Sequence, residues 1–187
     1  MVTAGAQGER YTATQKRHDR TEGDDMADRQ YWILVSSPDN FAQTKARGFT
    51  VQGMKSRHRK KAEQMKPGDK LIFYLTGKKM FGATATVTSE YFEGDDLIWT
   101  SKNTKRDGSP ENYPFRVEIE PELVADEEAW IDAEPVARQM IHASKWPEKN
   151  WTLAFQGNVH NVPAEDYALI HGLLEKSIAE RMTPANS

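Results

Sequence analysis

Cysteine is absent from this sequence, and its absence removes several kinds of chemistry at once. Disulfide bonds, thiolate metal sites and a cysteine nucleophile are all excluded. Long hydrophobic runs are lacking as well, because no apolar stretch approaches the roughly 20 residues that a membrane-spanning helix needs. The N-terminus also has no apolar signal-peptide core. We therefore expect no membrane association and take the cytoplasm as the default location.

Signatures of catalysis and metal binding are also missing. The sequence contains no Gly-x-Ser-x-Gly elbow, no P-loop and no Gly-rich dinucleotide fingerprint. Its five histidines are far apart and lack the spacing of metal ligands: His18, His58, His142, His160 and His171. The acidic run at residues 126–128 is more simply the start of a helix. These absences predict a protein that is not an enzyme and that carries no metal or other cofactor.

The chain itself has the size and composition of one globular domain. It has 187 residues, of which 37% are hydrophobic and 28% are charged. Residues 1–28 contain no Leu, Ile, Phe or Trp, which predicts a disordered tail. Met26 is an alternative expected start of translation. We place the folded domain at residues 29–178 and expect a second flexible tail at residues 179–187.

Hydrophobic periodicity predicts strands interleaved with short helices. The expected strands cover residues 31–35, 70–75, 81–88 and 114–120, with a further short strand ending at Phe155. The expected helices cover residues 41–47, 54–65 and 135–141, with a last helix that Pro163 opens. The short connections between strands favour an α+β fold around a small curved or barrel-like sheet over a doubly wound sheet.

A basic stretch at residues 55–61 is the plainest functional signal. The net charge is −3, but residues 45–70 carry nine lysines and arginines against Glu63 and Asp69. Within the predicted helix over 54–65, the basic side chains face mostly outward, and backbone amides after Gly53 can meet an anion. This pattern predicts phosphate binding, and an ordinary solvated helix surface remains the alternative.

Aromatic residues form a second candidate set, with five Trp, seven Phe and six Tyr. Most must be core residues, but four tryptophans lie in or beside polar stretches, where a flat ring can stack on an extruded base: Trp99, Trp130, Trp146 and Trp151. Asn40, Gln52 and Gln156 are candidates to bind the edge of that base. Each of these amides is equally typical of a turn or a helix cap.

The order of local motifs resembles the EVE domain of the PUA-like superfamily. The matching segments, which span about residue 30 to 175, are Tyr31-Trp32-Ile33-Leu34, Gly48-Phe49-Thr50-Val51-Gln52-Gly53, Met65-Lys66-Pro67-Gly68-Asp69-Lys70, Phe73-Tyr74, Tyr113-Pro114-Phe115-Arg116-Val117 and Phe155-Gln156-Gly157. The resemblance implies a PUA-like small curved β-barrel flanked by helices. It also implies a cleft that accepts a modified base, as in the related YTH domains.

The resemblance also implies site residues. Residues 36–40 resemble the YTH stretch that contacts the base, and Arg116 matches an arginine of the corresponding strand. Many EVE sequences have a Trp near Gln52-Gly53, which this chain lacks, so that another ring has to replace it. The predicted base-binding cleft is therefore Asn40, Phe49, Gln52, Gly53, Tyr74, Trp99, Trp151 and Gln156. The predicted phosphate-binding residues are Lys55, Arg57, Arg59, Lys60, Lys61 and Arg116.

Three functions follow from these features. The first is a nucleic-acid-binding reader module that holds a modified base of DNA or RNA in an aromatic-lined cleft beside a basic helix. The second is a PUA-like enzyme acting on a nucleoside or small amide, with Lys55 or Asp69 recruited to the cleft. The third is a protein-interaction module whose acidic half docks a basic partner.

Overall fold

The computed structural model describes residues 28–182. The predicted N-terminal tail, except Asp28, lies outside the described residues, as do Met26 and residues 183–187. The strands are β1 Tyr31–Ser36, β2 Val51–Met54, β3 Lys70–Leu75, β4 Met80–Val87, β5 Phe92–Glu93, β6 Phe115–Val124, β7 Ile131–Asp132 and β8 Val159–Val162. The α-helices are α1 Pro38–Ala46, α2 Arg59–Ala62, α3 Ala133–Ala137 and α4 Ala164–Met182. Short 3₁₀ helices cover Ser56–His58, Glu127–Ala129, Ala143–Lys145 and Glu148–Phe155.

One curled, mixed sheet organises the fold. Its strand order is β2-β6-β4-β3-β1-β8, with β5 added on β6 and β7 on β4. The β1–β3 pair is parallel and the other pairs are antiparallel. Register shifts at Phe73/Tyr74 and Thr84/Ala85 bend the central strands, as bulges do in curved sheets. The predicted α+β, PUA-like architecture is confirmed.

Both faces of the central strands are buried, which explains their continuous apolar runs. Along β1, Trp32 and Leu34 face one core and Ile33 faces another. The first core fills the concave side of the sheet with residues such as Phe41 and Phe73. The second lies under the helices and includes Phe155, Ile170 and Leu174. Because the side chains on both faces of such a strand are buried and apolar, its sequence is an unbroken hydrophobic segment.

Side-chain hydrogen bonds join the two ends of the sheet. The strand order leaves β2 at one end and β8 at the other. Just after β2, the Lys55 amide donates to Asn158 Oδ1 at 2.9 Å, and Lys61 Nζ donates to Val159 O at 2.6 Å. Asn158 Nδ2 also donates to Val35 O at 3.2 Å. We call residues 55–61 the seam segment, because they link the end of β2 to the start of β8.

The predicted helix over residues 54–65 is wrong in its first half. Gly53 and Met54 pair with Arg116 and Phe115 in the β2–β6 ladder, so the chain is still extended there. A 3₁₀ turn, Ser56–His58, and the single turn of α2 replace a long helix. Burial of Met54 inside the first core decides the outcome, because tertiary packing overrides a weak helical spacing.

Two boundaries near the C-terminus also differ from the sequence-based expectation. The predicted strand ending at Phe155 is a 3₁₀ helix, Glu148–Phe155, whose residues Trp151 and Phe155 are buried in the second core. Helix α4 continues through Met182, past the expected domain end at residue 178. Between residues 28 and 182, no helix is both long and apolar enough to cross a membrane.

Candidate functional site

A cleft of about 970 Å³ opens where five segments meet. These segments are the β1–α1 junction, the start of the seam segment, the β3–β4 hairpin, the loop that precedes β6, and the end of the last 3₁₀ helix. The lining residues are Val35, Ser37, Asp39, Asn40, Lys55, Tyr74, Thr76, Gly77, Lys79, Thr100, Ser101, Lys102, Asn103, Tyr113, Thr152, Phe155, Gln156 and Gly157. Its volume lies near the upper end of the roughly 300–1,000 Å³ typical of small-molecule sites.

The apolar part of the cleft is a stacked pair of rings. Tyr74 and Phe155 lie 4.4 Å apart between ring centroids, with an interplanar angle of 15°. Phe81 and Trp151 support Phe155 from behind at 5.7 and 5.9 Å. Burial raises the pKa of the Tyr74 hydroxyl to about 12, so this phenol stays neutral at physiological pH. Each of the two residues is 3% exposed, so the pair forms a buried and preorganised part of the cleft wall.

A third ring, Tyr113, lines the cleft beside Lys55. Lys55 Nζ lies 5.7 Å from the centroid of the Tyr113 ring, within the range of a cation–π contact. Burial lowers the pKa of the Lys55 ammonium, and the charge of Arg57 lowers it further. The Tyr113 backbone has φ of +51°, which is rare for a residue with a side chain. Such strained positions cluster at functional sites.

Asn40 lines the cleft, but its amide is already engaged. Asn40 Nδ2 donates to Thr100 O at 2.8 Å and to Tyr113 Oη at 3.1 Å. Thr100 N donates to Asn40 Oδ1 at 3.0 Å. Asn40 therefore holds the loop that precedes β6. By contrast, the side chains of Asp39 and Gln156 line the cleft and form no hydrogen bond to residues 28–182.

The charge of the cleft is positive. Lys55, Lys79 and Lys102 bring three ammonium groups to its lining, and Asp39 brings the one carboxylate among the lining residues of the described chain. Lys79 Nζ also lies 5.9 Å from the centroid of the Trp151 ring. A cleft with an excess of one charge concentrates ligands of the opposite charge. This lining suits an anionic ligand with a flat ring.

Three of the predicted base-binding rings lie outside the cleft lining. Phe49 packs in the first core against Phe73, with ring centroids 5.3 Å apart. Trp99 is 1% exposed, and its Nε1 donates to Thr44 Oγ1 at 2.9 Å. Trp151 supports Phe155 from the second core. The structure therefore brings together Asn40, Tyr74 and Gln156 of the predicted set.

Gln52 and Gly53, also predicted for the base site, have internal roles. Gln52 Oε1 accepts from Thr44 Oγ1 at 3.0 Å, and Gln52 Nε2 donates to Gly53 O at 2.9 Å. A Cβ atom built on Gly53 would lie 2.5 Å from Trp99 Cζ3. Gly53 is therefore required by the close approach of the Trp99 ring.

Arg116, predicted to bind phosphate, is 3% exposed and satisfied inside the protein. Its guanidinium forms an ion pair with Asp96, and its Nε donates to Tyr113 O at 3.2 Å. The same group lies 5.4 Å from the centroid of the Trp99 ring. Arg116 thus fixes the loop before β6 to the sheet, and its charge is neutralised locally.

The predicted basic residues of the seam segment point to different places. Lys55 lines the cleft, and Arg57 and Lys60 are exposed. Arg59 pairs with Glu63 at 2.8 Å and with Glu93 at 3.8 Å. Lys61 bonds to the β8 backbone. The seam segment is therefore not one uniform cationic surface.

A carboxylate of the protein itself occupies the predicted anion position at the start of the seam segment. Glu111 accepts hydrogen bonds from Ser56 N at 3.2 Å, from Ser56 Oγ at 3.0 Å and from Tyr113 N at 3.1 Å. The expectation that phosphate binds at backbone amides after Gly53 is therefore corrected. Glu111 lies 55 positions from Ser56, so no local pattern could reveal it.

The residues Tyr113, Phe155, Lys79 and Lys102 line the cleft but are not among the residues predicted for it from the sequence. Their neighbours along the chain are the one sequence feature that points to them, because Phe155 directly precedes Gln156 and Lys79 belongs to the predicted hairpin. Asp69, the acid considered for an enzyme, does not line the cleft. Its carboxylate is 2% exposed and accepts from Trp32 Nε1 at 3.0 Å. Within residues 28–182, no three or more His, Asp or Glu side chains are placed to hold a metal ion.

Comparison with known proteins decides the family. The sequence profile described as the EVE domain matches residues 30–173. The chain belongs to the EVE domain family. This EVE domain is 28% identical over 154 residues to a UPF0310 protein of Pyrococcus horikoshii, covering 77% of this chain and 98% of that protein.

Solved structures with the same fold include YTH domains. One is the YTH domain of the Zygosaccharomyces rouxii MRB1 protein in complex with N6-methyladenosine RNA, with TM-score 0.56, 15% identity, and coverage of 79% of this chain and 87% of that chain. Another is the Mmi1 YTH domain in complex with RNA, with TM-score 0.59, 13% identity, and coverage of 85% and 86%. At these identities the similarity establishes the shared fold.

Proposed function

We propose that this EVE domain is a nucleic-acid-binding module that holds one base in the cleft and makes or breaks no bond. The observation that carries the proposal is the lining itself, which combines the Tyr74–Phe155 stack with three lysines. A base needs a flat apolar surface, and its backbone needs cations. Similarity to YTH domains that were solved with RNA supports the same function.

The finer proposal is that the bound base is modified and belongs to DNA or RNA. The family resemblance suggests the modification, and the aromatic stack offers apolar surface on which an added methyl group loses its contact with water. Asp39 and Gln156 are two cleft side chains that form no hydrogen bond to residues 28–182, and they are our candidates to bind the polar edge of the base. A carboxylate accepts hydrogen bonds and an amide both donates and accepts, so the two can discriminate exocyclic groups.

The test is equilibrium binding of matched single-stranded DNA and RNA, each with and without a methylated base, over a series of salt concentrations. We expect tighter binding to one modified strand. The logarithm of the binding constant should fall linearly with the logarithm of the salt concentration, and each substitution that removes a phosphate contact should reduce the magnitude of this slope by about one. Lys79→Gln and Lys102→Gln should weaken binding. Lys176→Gln, which changes a lysine of α4 paired with Glu180, is the control. Absence of binding to every strand, or binding that ignores salt, would refute the proposal.

The lowered pKa of Lys55 favours one alternative, an enzyme that acts on a nucleoside or small amide. Burial and the neighbouring Arg57 both lower that pKa, and a lysine that loses its proton more easily is a better nucleophile or base. Mass spectrometry after incubation with a nucleoside panel would detect turnover. Lys55→Arg should abolish that turnover and leave strand binding largely intact. The presence of the cleft gives less support to the third candidate, a protein-interaction module whose acidic half docks a basic partner.

A further inference from the structure

Two nitrogen-bearing side chains converge at one edge of the cleft, beside Gly157. A Cβ atom built on Gly157 would lie 3.8 Å from His160 Nε2 and 3.9 Å from Arg57 Nη2. Gly157 has φ of +104°, a conformation that favours glycine, and it lines the cleft. Because Gly157 has no side chain, the imidazole of His160 and the guanidinium of Arg57 can both approach this point at the cleft edge.

His58 orients the guanidinium of Arg57. Arg57 Nε donates to His58 Nε2 at 3.0 Å, which requires that nitrogen to be unprotonated. Arg57 is exposed and forms no ion pair with any carboxylate of residues 28–182. Its remaining N–H groups are thus available to an external anion, for which a guanidinium is suited by its planar, forked donors.

The imidazole of His160 has one ring nitrogen without a hydrogen-bond partner among the described residues. This nitrogen, Nε2, is buried, and the backbone of Gln156 acts in the direction of raising the pKa of the ring. In the tautomer that carries its proton on Nδ1, His160 Nε2 becomes a donor only when the ring takes up a second proton. Buried polar groups without a partner are costly and call for an explanation.

Lysine and arginine side chains act on a group of largely neutral histidines around this point. His142 and His160 have ring centroids 5.3 Å apart, and the charges of Lys61 and Arg57 act on this group of rings. The carboxylates that act on this group are Asp166, near His142, and Glu111, near Lys55. Burial lowers the pKa of His160 to about 4, with His142 and Lys61 adding to the effect. Burial likewise lowers the pKa of His58 to about 4, helped by Arg57, Lys61, His160 and Lys55.

We infer that the Gly157 edge is a phosphate subsite, in which Arg57, oriented by His58, and His160 bind the phosphate that flanks the nucleotide held in the cleft. This inference rests on the proposed function. A phosphate here supplies a counter-charge for Arg57, which pairs with no carboxylate of residues 28–182. Because the anion favours the protonated ring of His160, binding takes up a proton, and affinity rises as pH falls.

The first experiment measures affinity for the best single-stranded oligonucleotide at pH 7.5 and 5.5. A phosphodiester keeps its charge over this range, so the change reports on the protein. If phosphate raises the pKa of His160 by about two units, affinity should increase by a factor of about four at the lower pH. His160→Gln should remove that increase, whereas His171→Gln, at a half-buried histidine that contacts Tyr167, should keep it. Thermal unfolding of each variant checks that the fold is intact.

Arg57 is tested separately at pH 7.5. Arg57→Gln should reduce affinity about tenfold, as expected for loss of a forked phosphate contact. Lys60→Gln removes an exposed charge from the same segment and should have a smaller effect. Equal effects of Arg57→Gln and Lys60→Gln, or an unchanged pH dependence in His160→Gln, would overturn the inference and leave the proposed function standing.

Histidine NMR titration distinguishes the inference from the function on which it rests. Addition of the oligonucleotide should raise the pKa of His160, identified by the signal missing in His160→Gln. If no strand binds but inorganic phosphate raises that pKa, the subsite is supported for free phosphate and the proposed function fails. If strands bind and the His160 signal does not respond, the subsite is refuted.

Discussion

The amide of Asn40 and the backbone of Thr100 are joined by a closed pair of hydrogen bonds, with Nδ2 donating to the carbonyl at 2.8 Å and the Thr100 amide donating back at 3.0 Å. The two residues are 60 positions apart. Asn40 lies in the first turn of α1, and Thr100 lies in the loop that precedes β6. This pair therefore sets the width of the cleft on its loop side.

Asn40→Ala should detach this loop from α1. Two partly buried hydrogen bonds between Asn40 and the Thr100 backbone would be lost. At about 0.5–1.5 kcal/mol for each bond, we expect the free energy of unfolding to fall by about 1–3 kcal/mol. Urea unfolding measures the loss, and hydrogen exchange at Thr100 should become faster. Asn103→Ala is the matched control, because Asn103 also lines the cleft but its side chain is exposed. Equal stability of the two variants would contradict this role of Asn40.

Gly53→Ala should be destabilising although it adds a single methyl group. The new Cβ would lie 2.5 Å from Trp99 Cζ3 and 2.9 Å from Tyr113 Cβ. Trp99 cannot move freely because Thr44 and Arg116 hold its ring. Overpacking of this kind costs about 1–3 kcal/mol.

Gly172→Ala is the control for that substitution. Gly172 lies within α4 and has no atom within 4 Å of a built Cβ. Alanine there should stabilise the protein by about 0.5–1 kcal/mol through its higher helix propensity. Thermal unfolding should therefore shift in opposite directions for the two variants, and a shift of the same sign would show that the Trp99 contact is not limiting.

Glu111→Gln should loosen the start of the seam segment. The Ser56 amide, the Ser56 hydroxyl and the Tyr113 amide all donate to Glu111 Oε1. Glutamine would lose the negative charge that strengthens these bonds, and in place of Oε2 it would set an amide nitrogen 3.2 Å from the Ser56 amide. We expect a loss of about 1–3 kcal/mol in unfolding free energy. Glu120→Gln changes an exposed carboxylate of β6 and should stay within about 0.5 kcal/mol of the wild type. Chemical denaturation of both variants decides between them.

Stability should fall on mild acidification because of His58 and His160. Burial, with neighbouring positive charge, lowers the pKa of each to about 4, against an ordinary value of about 6.5. The unfolded chain therefore binds protons between pH 6.5 and 4 that the folded chain does not. The free energy of unfolding therefore has its full value above about pH 6.5. It falls as pH falls toward 4, by on the order of 2 kcal/mol per histidine.

Denaturant unfolding at pH 7.5 and pH 5 measures this effect. The double variant His58→Gln/His160→Gln should show a flatter dependence of unfolding free energy on pH than the wild type. An equally steep dependence in the double variant would assign the acid sensitivity to other groups.

The sequence predicted those parts of the fold that depend on local signals. Strand β3 was placed at its exact bounds, residues 70–75, because a tight turn precedes its apolar run and a hairpin follows. The curved sheet followed from short strand connections and from the family resemblance. By contrast, Met54 was assigned to a helix, because its spacing from Ala62 is helical and its pairing with Phe115 is invisible in the sequence.

The candidate site was less predictable because long-range contacts decide which aromatic ring is available. Trp99 and Tyr113 belong to one polar loop, and nothing local distinguishes them. The missing side chain at Gly53 admits the Trp99 ring into the interior, so Tyr113 is left at the cleft. In the same way, Asp96 neutralises Arg116 from 20 positions away, and the sequence gives no sign of that partnership.

In the proposed binding mode, a phosphate and strand β8 would compete for one atom of the seam segment, Lys61 Nζ. That ammonium donates to Val159 O, so a phosphate that bound it would draw it away from the strand. The Lys55 backbone, in contrast, is tied to Asn158 whatever its side chain does. The Lys61 ammonium can therefore exchange its bond to β8 for a bond to a ligand, whereas the Lys55 backbone cannot. A substitution that removes the charge of Lys61 would therefore first lower the stability of the curled sheet, and any change in ligand affinity would follow from that loss.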